Sequence, residues 1–264
     1  MVMVIPIIIL SSMGLLFGLG LAFASNIFKV EIDPKIERIL SILPGANCGA
    51  CGKAGCAGFA EAIAKGDTSL TGCPAGGDEV SGKIADILGV KKQVTVKRIA
   101  RVRCGGGIQA KDKYIYEGIK TCRAAILMAG GEKLCNYGCP GFWDCIKVCP
   151  FDAIHMDKAG VPIVDAEKCT GCNKCVLECP KNIISLENAG EKFYVKCLSL
   201  DKANIVRRAC KAGCTGCKIC EKLSKGAFIV EDNLSGLDYS KVDSATQLEL
   251  CIEKCPTKCI IKIV

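Results

Sequence analysis

The stretch from Cys169 to Pro180, which reads CTGCNKCVLECP, decides the fold of this chain. Its cysteines are separated by two, two and three residues, and the last one precedes a proline, which is the spacing of bacterial ferredoxins. Thiolates at Cys169, Cys172 and Cys175 can reach three corners of one four-iron cluster, and Cys179 then ligates the neighbouring cluster. Zinc sites instead use C-x2-C pairs that are well separated in sequence. The stretch therefore predicts iron–sulfur clusters.

A stretched copy of this motif comes just before it. Its four cysteines are separated by three, five and three residues, and the last again precedes a proline, Pro150. Both copies continue into similar apolar runs, FDAI after Pro150 and KNII after Pro180. The pair predicts an α+β, ferredoxin-like domain over residues 134–190 with two buried four-iron clusters. Crossed ligation between the copies gives two sets, one of Cys135, Cys139, Cys145 and Cys179 and one of Cys169, Cys172, Cys175 and Cys149.

A third group of cysteines lies in the region 29–90. It has the spacing C-x2-C-x4-C-x16-C and comprises Cys48, Cys51, Cys56 and Cys73. Neighbouring glycines allow a loop whose backbone amides turn toward cluster sulfurs. Asp33 and Pro34 predict the start of a helix ahead of this group. We expect a small domain with one four-iron cluster, with a four-cysteine zinc site as the alternative. Residues 91–133 are expected to form a connector.

The segment 191–264 repeats the ferredoxin plan imperfectly. Its first C-x2-C-x2-C run is intact, but Ser224 replaces the next ligand and Val242 stands near where a second run should begin. Serine is a less common iron ligand than cysteine, and valine cannot ligate iron. The sequence predicts a degenerate ferredoxin-like domain with one cluster, held by Cys214, Cys217, Cys220 and Cys255. The competing arrangement recruits Cys210, Cys251 or Cys259 into a second site.

Four further cysteines have no place in these patterns. They are Cys104, Cys122, Cys197 and Cys210. They are either buried thiols or ligands of a further metal site. The patterns as a whole predict about four [4Fe-4S] clusters.

The composition fits this interpretation. The chain has 22 cysteines in 264 residues, too long for a secreted disulfide scaffold, and cluster thiolates need a reducing compartment. A formal charge of +8 could indicate nucleic-acid binding, but a four-thiolate cubane carries roughly −2, so about four clusters would nearly cancel it. Scattered lysines then offset cluster charge or dock an acidic electron-carrier protein. Nucleic acid is not an expected partner.

The N-terminal segment 1–28 is expected to be a single membrane-spanning helix. Residues 2–28 contain no charged side chain, and this length suffices to cross a bilayer. A signal peptide would carry Lys or Arg before its apolar part. Lys29, Lys35 and Arg38 follow the span and predict that the bulk of the chain lies on the cytoplasmic side of the membrane. A stripe of small residues that includes Gly14 and Gly18 favours a partner helix.

The order of these parts resembles the B subunits of Rnf complexes, which are membrane-bound, ion-translocating ferredoxin oxidoreductases. The stretch LPGANCGACG, which begins at Leu43, is similar to the first-cluster signature of that family. The segments EGI at Glu117 and CRAA at Cys122 are similar to its longer members. The resemblance extends over essentially the whole chain and weakens after Ser224.

The resemblance implies a role in electron transfer. Reduced ferredoxin would deliver electrons to the C-terminal clusters, and they would pass through the central pair and the Cys48–Cys73 cluster to flavin- and metal-bearing partner subunits. The chain has no pattern of a nicotinamide or flavin pocket, so substrate conversion and ion movement are assigned to the partners. Two other functions remain open: a membrane-tethered polyferredoxin that serves a different oxidoreductase, and a zinc-bound assembly scaffold.

Overall fold

A computed structural model describes residues 4–28, 33–92, 96–242 and 245–263 of the chain. The fold is α+β, as the sequence predicts, and begins with helix α1 (Val4–Ile27). At 1.5 Å per residue this helix is about 36 Å long, which exceeds the roughly 30 Å hydrocarbon core of a bilayer. Its segment Ile7–Ser25 has a mean hydropathy of 2.3, and none of it is buried against the rest of the described chain. Helix α1 therefore fits a membrane anchor.

The N-terminal domain is a group of three helices. They are α2 (Pro34–Ile42), α3 (Gly55–Ala64) and α4 (Gly77–Leu88). The predicted start of α2 is confirmed, because the Asp33 carboxylate accepts the backbone N–H of Lys35 at 2.8 Å. Ile39, Phe59 and Ile84 form the core of this domain, and three of the four cysteines of the region pack against it.

The central domain has the strand and helix order of a ferredoxin. Its elements are β1 (Arg98–Val102), α5 (Cys122–Leu127), α6 (Asp144–Lys147), β2 (Ile154–Met156), β3 (Pro162–Val164), α7 (Lys174–Glu178) and β4 (Ile184–Asn188). Strands β2 and β3 form one antiparallel pair, and β1 and β4 form the other, in register from Arg98–Asn188 to Val102–Ile184. Strand β1 belongs to the segment expected to be a connector, so residues 91–133 supply part of this domain.

The C-terminal domain repeats the same topology. It contains β5 (Phe193–Val195), α8 (Ala203–Ala209), α9 (Ile219–Leu223), β6 (Phe228–Glu231), β7 (Leu234–Leu237), α10 (Ala245–Lys254) and β8 (Ile260–Lys262). The first and last strands pair, as do the two middle strands. Helix α8 lies between β5 and the first cysteine loop, as α5 lies between β1 and α6 in the central domain. The loss of ligands after Ser224 has therefore not changed the backbone plan.

The two ferredoxin-like domains pack against each other along a seam. Ala110 forms an isolated β-bridge with Cys210, and the N–H of Lys111 donates to the carbonyl of Ala209 at 2.8 Å. Arg101 is almost completely buried, and its guanidinium lies over the ring of Tyr194 at 5.1 Å. A buried arginine on β1 that contacts β5 fixes the position of one domain relative to the other.

Candidate metal centres

The first central site comprises Cys149, Cys169, Cys172 and Cys175, which line one cavity. Its loop is shaped by Gly171, which has a φ of +72° and has no room for a side chain, because a Cβ there would lie 2.5 Å from the carbonyl oxygen of Arg98. Backbone N–H groups of Ala100 and Ala153 donate to the sulfurs of Cys169 and Cys149, each at 3.4 Å. The expected set of four is thus brought together.

The chemistry of this cavity fits a four-iron cluster. Its thiols already accept amide hydrogen bonds, which is how proteins orient and tune cluster ligands. Thr170 also lines the cavity, and its hydroxyl is buried without a hydrogen-bond partner among the described residues. A bound cluster offers that hydroxyl sulfur acceptors. In the described part of the chain no three donors converge closely enough to hold a single ion, whereas a cubane binds its ligands at four separate corners.

The N-terminal site is also assembled as expected. Its ligands line one cavity with Phe59 and Pro74, and they are Cys48, Cys51, Cys56 and Cys73. The Asn47 side chain accepts the backbone N–H of Cys56 at 2.8 Å and so ties the cysteine loop to the start of α3. The site lies at the edge of the α2–α4 core, where three of its cysteines pack against buried apolar residues.

The second central site differs from the sequence-based set. The Cys145 thiol lies close enough to those of Cys139 and Cys179 to interact with them electrostatically, whereas Cys135 lines a different cavity. The Cys122 thiol interacts in the same way with those of Cys145 and Cys179, so we propose Cys122 as the fourth member. Hereafter, the second central site is the set of four cysteines Cys122, Cys139, Cys145 and Cys179.

The position of Cys122 is fixed by α6. Cys122 is the first residue of α5, and its backbone N–H donates to the carboxylate of Asp144 at 2.7 Å. Asp144 is buried and immediately precedes Cys145. Helix α5 is therefore held with its first residue next to the other ligands.

A spacing signal could have found Cys122. In the complete motif, ligands stand ten, seven and four residues before the Cys-Pro cysteine, as Cys169, Cys172 and Cys175 do before Cys179. Counted back from Cys149, the same positions hold Cys139, Phe142 and Cys145. The middle ligand is missing there, and Cys135 is not in register to replace it. The spacing therefore indicates that a cysteine from elsewhere in the chain supplies the missing ligand.

The C-terminal site comprises Cys214, Cys217, Cys220 and Cys255, which line one cavity together with Cys259. The Cys220 sulfur lies 3.2 Å from the hydroxyl of Ser235, and the sulfurs of Cys255 and Cys259 are 3.6 Å apart. Cys217 is the exposed member of the set, whereas the other three ligands are buried. The expected ligands are thus together, with an additional thiol beside them.

The lost second site of the C-terminal domain is filled by protein atoms. Counted back from Cys255, Leu248 and Cys251 stand at the seven- and four-residue ligand positions, and both are buried in the apolar core.

Ser224, which replaces a ligand, accepts the backbone N–H of Phe228 at 2.8 Å, just as the Cys149 sulfur accepts that of Ala153. Val242, which precedes α10 in the sequence, packs against the same core. Side chains occupy the volume that a second cluster would need.

Burial controls the protonation of the metal-free thiols. Desolvation raises the pKa of Cys135 to about 11 and the pKa values of Cys145 and Cys175 to about 12. Iron binds the thiolate, so cluster insertion must drive the release of these protons.

At the C-terminal site the effect is the opposite. Hydrogen bonding with the Cys259 thiol lowers the pKa of Cys255 to about 5 and that of Cys214 to about 6. The single proton of the Cys259 thiol can therefore be donated to one or the other of these two sulfurs.

Two family models match the cluster-bearing regions. Residues 43–75 match a family described as a putative Fe-S cluster, and residues 134–183 match the 4Fe-4S dicluster domain. These segments contain the N-terminal site and most ligands of the two central sites. With its exposed apolar N-terminal helix, the chain has the features of a membrane-anchored iron–sulfur protein with ferredoxin-like domains.

Curated relatives extend the match to nearly the whole chain. The B subunit of the Na(+)-translocating ferredoxin:NAD(+) oxidoreductase complex of Acetobacterium woodii is 41% identical over 97% of this chain and 77% of its own length. The B subunit of the ion-translocating oxidoreductase complex of Methanosarcina acetivorans is 38% identical over 98% of both chains. The B subunit of the proton-translocating ferredoxin:NAD(+) oxidoreductase complex of Clostridium ljungdahlii is 39% identical over 98% of this chain and 92% of its own.

The chain belongs to the family of B subunits of ion-translocating ferredoxin oxidoreductase (Rnf) complexes. The resemblance inferred from the sequence is thereby confirmed. The chain is an iron–sulfur electron-transfer subunit of a multi-subunit translocase complex.

Proposed function

We propose that this chain accepts electrons from reduced ferredoxin and relays them to membrane and peripheral partner subunits that couple electron flow to ion translocation. The observation that carries the proposal is that neighbouring cysteine sets lie close enough to interact electrostatically. Cys172 of the first central site lies close enough to Cys48 of the N-terminal site for their thiols to interact electrostatically. Cys175 and Cys145 connect the two central sites in the same way.

Each set supplies four ligands for one [4Fe-4S] cluster. When bound, such a cluster supplies one-electron redox chemistry at a potential that hydrogen bonds, burial and charge adjust. The residues of this chain provide those conditions, because most of the ligand cysteines are buried or half-buried and several accept backbone N–H groups. We propose this role for the N-terminal, first central, second central and C-terminal sites.

The C-terminal site is the proposed position at which electrons enter the chain. Cys217 is exposed there, so a soluble donor can approach a ligand directly. Lys218 and Lys258 are exposed and lie within three residues of ligands Cys217 and Cys255. An acidic electron carrier would be attracted to this surface, since complementary charge raises the rate of association.

The N-terminal site is the proposed exit, next to the membrane. Only a few residues and α2 separate it from α1. Lys35 and Arg38 follow the span and support a cytoplasmic position for the bulk of the chain, as does Lys29, which lies outside the described residues. A Cβ at Gly14 or Gly18 would meet nothing within 4 Å. That face of α1 is open to a helix from another protein of the complex.

Rapid mixing with reduced ferredoxin tests the proposed donor. The oxidised, purified chain should lose visible absorbance as it is reduced. Replacing Lys218 with Glu should slow the second-order rate by about tenfold at low salt and weaken its salt dependence, because steering charge changes association rates. The matched control is Lys65→Glu, an exposed charge reversal that follows α3 of the N-terminal domain, which should leave the rate unchanged. Reduction by dithionite but not by ferredoxin would contradict the proposal.

Deletion of residues 1–27 tests the anchor. The shortened chain should be soluble and coloured, and it should still accept electrons from ferredoxin without supplying the membrane complex. Co-purification of a fully active complex with the shortened chain would show that α1 is not the anchor.

A further inference from the structure

Four of the six cysteines that the other sites leave over meet at the seam between the two ferredoxin-like domains. They line one cavity and are Cys104, Cys135, Cys197 and Cys210, hereafter the seam site. The cavity measures about 430 Å³, comparable with about 310 to 350 Å³ at the N-terminal, first central and C-terminal sites. We propose that these four thiols ligate a fifth [4Fe-4S] cluster, which joins the C-terminal domain to the central domain.

The sulfurs converge from separate segments of chain. A Cβ at Gly106 would lie 3.4 Å from the sulfur of Cys210 and 3.7 Å from that of Cys104, so both thiols border this glycine. The Cys135 thiol interacts electrostatically with those of Cys104, Cys197 and Cys210. The backbone bridge between Ala110 and Cys210 holds two of the segments together. All four thiols of the seam site therefore lie close to one another.

Amide donors are already aimed at these sulfurs. The N–H of Ser199 donates to Cys197 and the N–H of Cys139 donates to Cys104, each at 3.4 Å. The first central site shows the same arrangement at Cys149 and Cys169. Neutral buried thiols need no such donors, whereas thiolates bound to iron are stabilised by them.

Basic side chains surround the cavity. Arg103 and Lys196 line it. The Nε atom of Arg103 is buried without a hydrogen-bond partner among the described residues. Lys196 also forms an ion pair with Asp157 at 3.7 Å, so it has a carboxylate partner of its own. A cubane with four thiolates would carry roughly −2 and would supply a counter-charge for Arg103.

The location gives the seam site a role in the relay, and this part of the inference rests on the proposed function. Its Cys104 sulfur accepts the amide of Cys139, a ligand of the second central site. Its Cys197 thiol lies close enough to Cys214, a ligand of the C-terminal site, for the two thiols to interact electrostatically. The seam site therefore bridges the C-terminal site and the central pair.

Iron and sulfide analysis of the full-length chain tests the inference. Five clusters predict about 20 iron atoms per chain and four predict about 16. Cys135→Ala and Cys197→Ala should each reduce the count to about 16, and the double variant should also retain about 16, because both residues serve one cluster. Cys122→Ala combined with Cys135→Ala should fall to about 12, because two clusters are then lost. The matched control is Cys251→Ala, a buried thiol outside every set, which should keep about 20.

Several outcomes would overturn the inference. A parent chain with about 16 iron atoms, or a Cys197→Ala variant with the iron content of the parent, would show that the seam holds no cluster. One zinc per chain that is lost with Cys197→Ala would replace the cluster by a zinc ion. These measurements need no ferredoxin, so a failure of ferredoxin to reduce the chain would count against the proposed function and not against the fifth cluster.

Discussion

The backbone N–H of Cys139 donates a hydrogen bond to the sulfur of Cys104 over 3.4 Å. One residue thus serves two sites, because the thiol of Cys139 belongs to the second central site and its amide belongs to the seam site. The amide and the thiol of one buried residue are fixed relative to each other by a few covalent bonds. The separation of the two sites is therefore set by the backbone, which suits a relay that depends on constant distances.

The Asp144 carboxylate should determine whether the second central site is loaded. Its oxygen accepts the Cys122 N–H at 2.7 Å in a buried position, and a buried donor left unsatisfied costs about 1–3 kcal/mol. Asp144→Ala should therefore displace the start of α5 and remove about four iron atoms per chain.

Asp144→Asn is the matched control. Its amide oxygen can still accept the Cys122 N–H, so this variant should retain its iron. Normal iron content in Asp144→Ala would mean that Cys122 is held by other contacts.

The sequence was sufficient where ligands are local. The spacing within 48–73 predicted a complete set, and the spacing within 169–180 predicted three members of another, since a short loop can bring its own cysteines together. The pairing of the two motif copies supplied the fourth, Cys149. It failed where a ligand comes from an insertion between β1 and α6. Cys122 lies outside the motif it completes, and only the register of Phe142 between Cys139 and Cys145 indicates a missing ligand.

The seam site was beyond prediction for a related reason. Its ligands come from segments on both sides of a domain boundary, and their proximity depends on how the two domains pack. Packing there rests on contacts such as Arg101 with Tyr194, which have no signature in spacing. The strand β1 was missed in the same way, because five residues pair with a partner strand that is distant in sequence.

The C-terminal domain should hold one cluster in addition to any at the seam. Cys255→Ala should remove about four iron atoms from the full-length chain, whereas Ser224→Ala should remove none. Ser224→Ala should still lower the free energy of unfolding by about 1 kcal/mol, because the Phe228 N–H loses its acceptor. Iron analysis and denaturant unfolding of the loaded protein measure both effects. Loss of iron from Ser224→Ala would support a second cluster in this domain.

Removal of iron should abolish the stable fold. Cysteines make up a large part of the buried residues in both ferredoxin-like domains, and burial keeps thiols such as Cys145 and Cys175 protonated in the absence of metal. Cluster binding energy therefore becomes folding energy. Far-UV circular dichroism and limited proteolysis of iron-depleted chain should show loss of structure and rapid cleavage. A protease-resistant apo form with cooperative unfolding would contradict this expectation.

Cys259 should tune the C-terminal cluster without ligating it. Its thiol lies 3.6 Å from the Cys255 sulfur and also interacts with the Cys214 thiol, so its proton can be donated to either ligand sulfur. The equivalent residues after Cys149 and Cys179 are Ala153 and Ile183, which carry no donor, so the position is not needed for ligation. Cys259→Ala should keep its iron but lower the midpoint potential of this cluster, because donors to cluster sulfurs favour the reduced form.

The expected decrease is on the order of tens of millivolts, since one such hydrogen bond contributes about 0.5–1.5 kcal/mol. Cys259→Ser, which retains a donor at the same position, should show a smaller change and is the matched control. A redox titration followed by electron paramagnetic resonance measures the potential of each variant. Loss of about four iron atoms in Cys259→Ala would instead identify Cys259 as a ligand, and an unchanged potential would show that its thiol does not contact the loaded site.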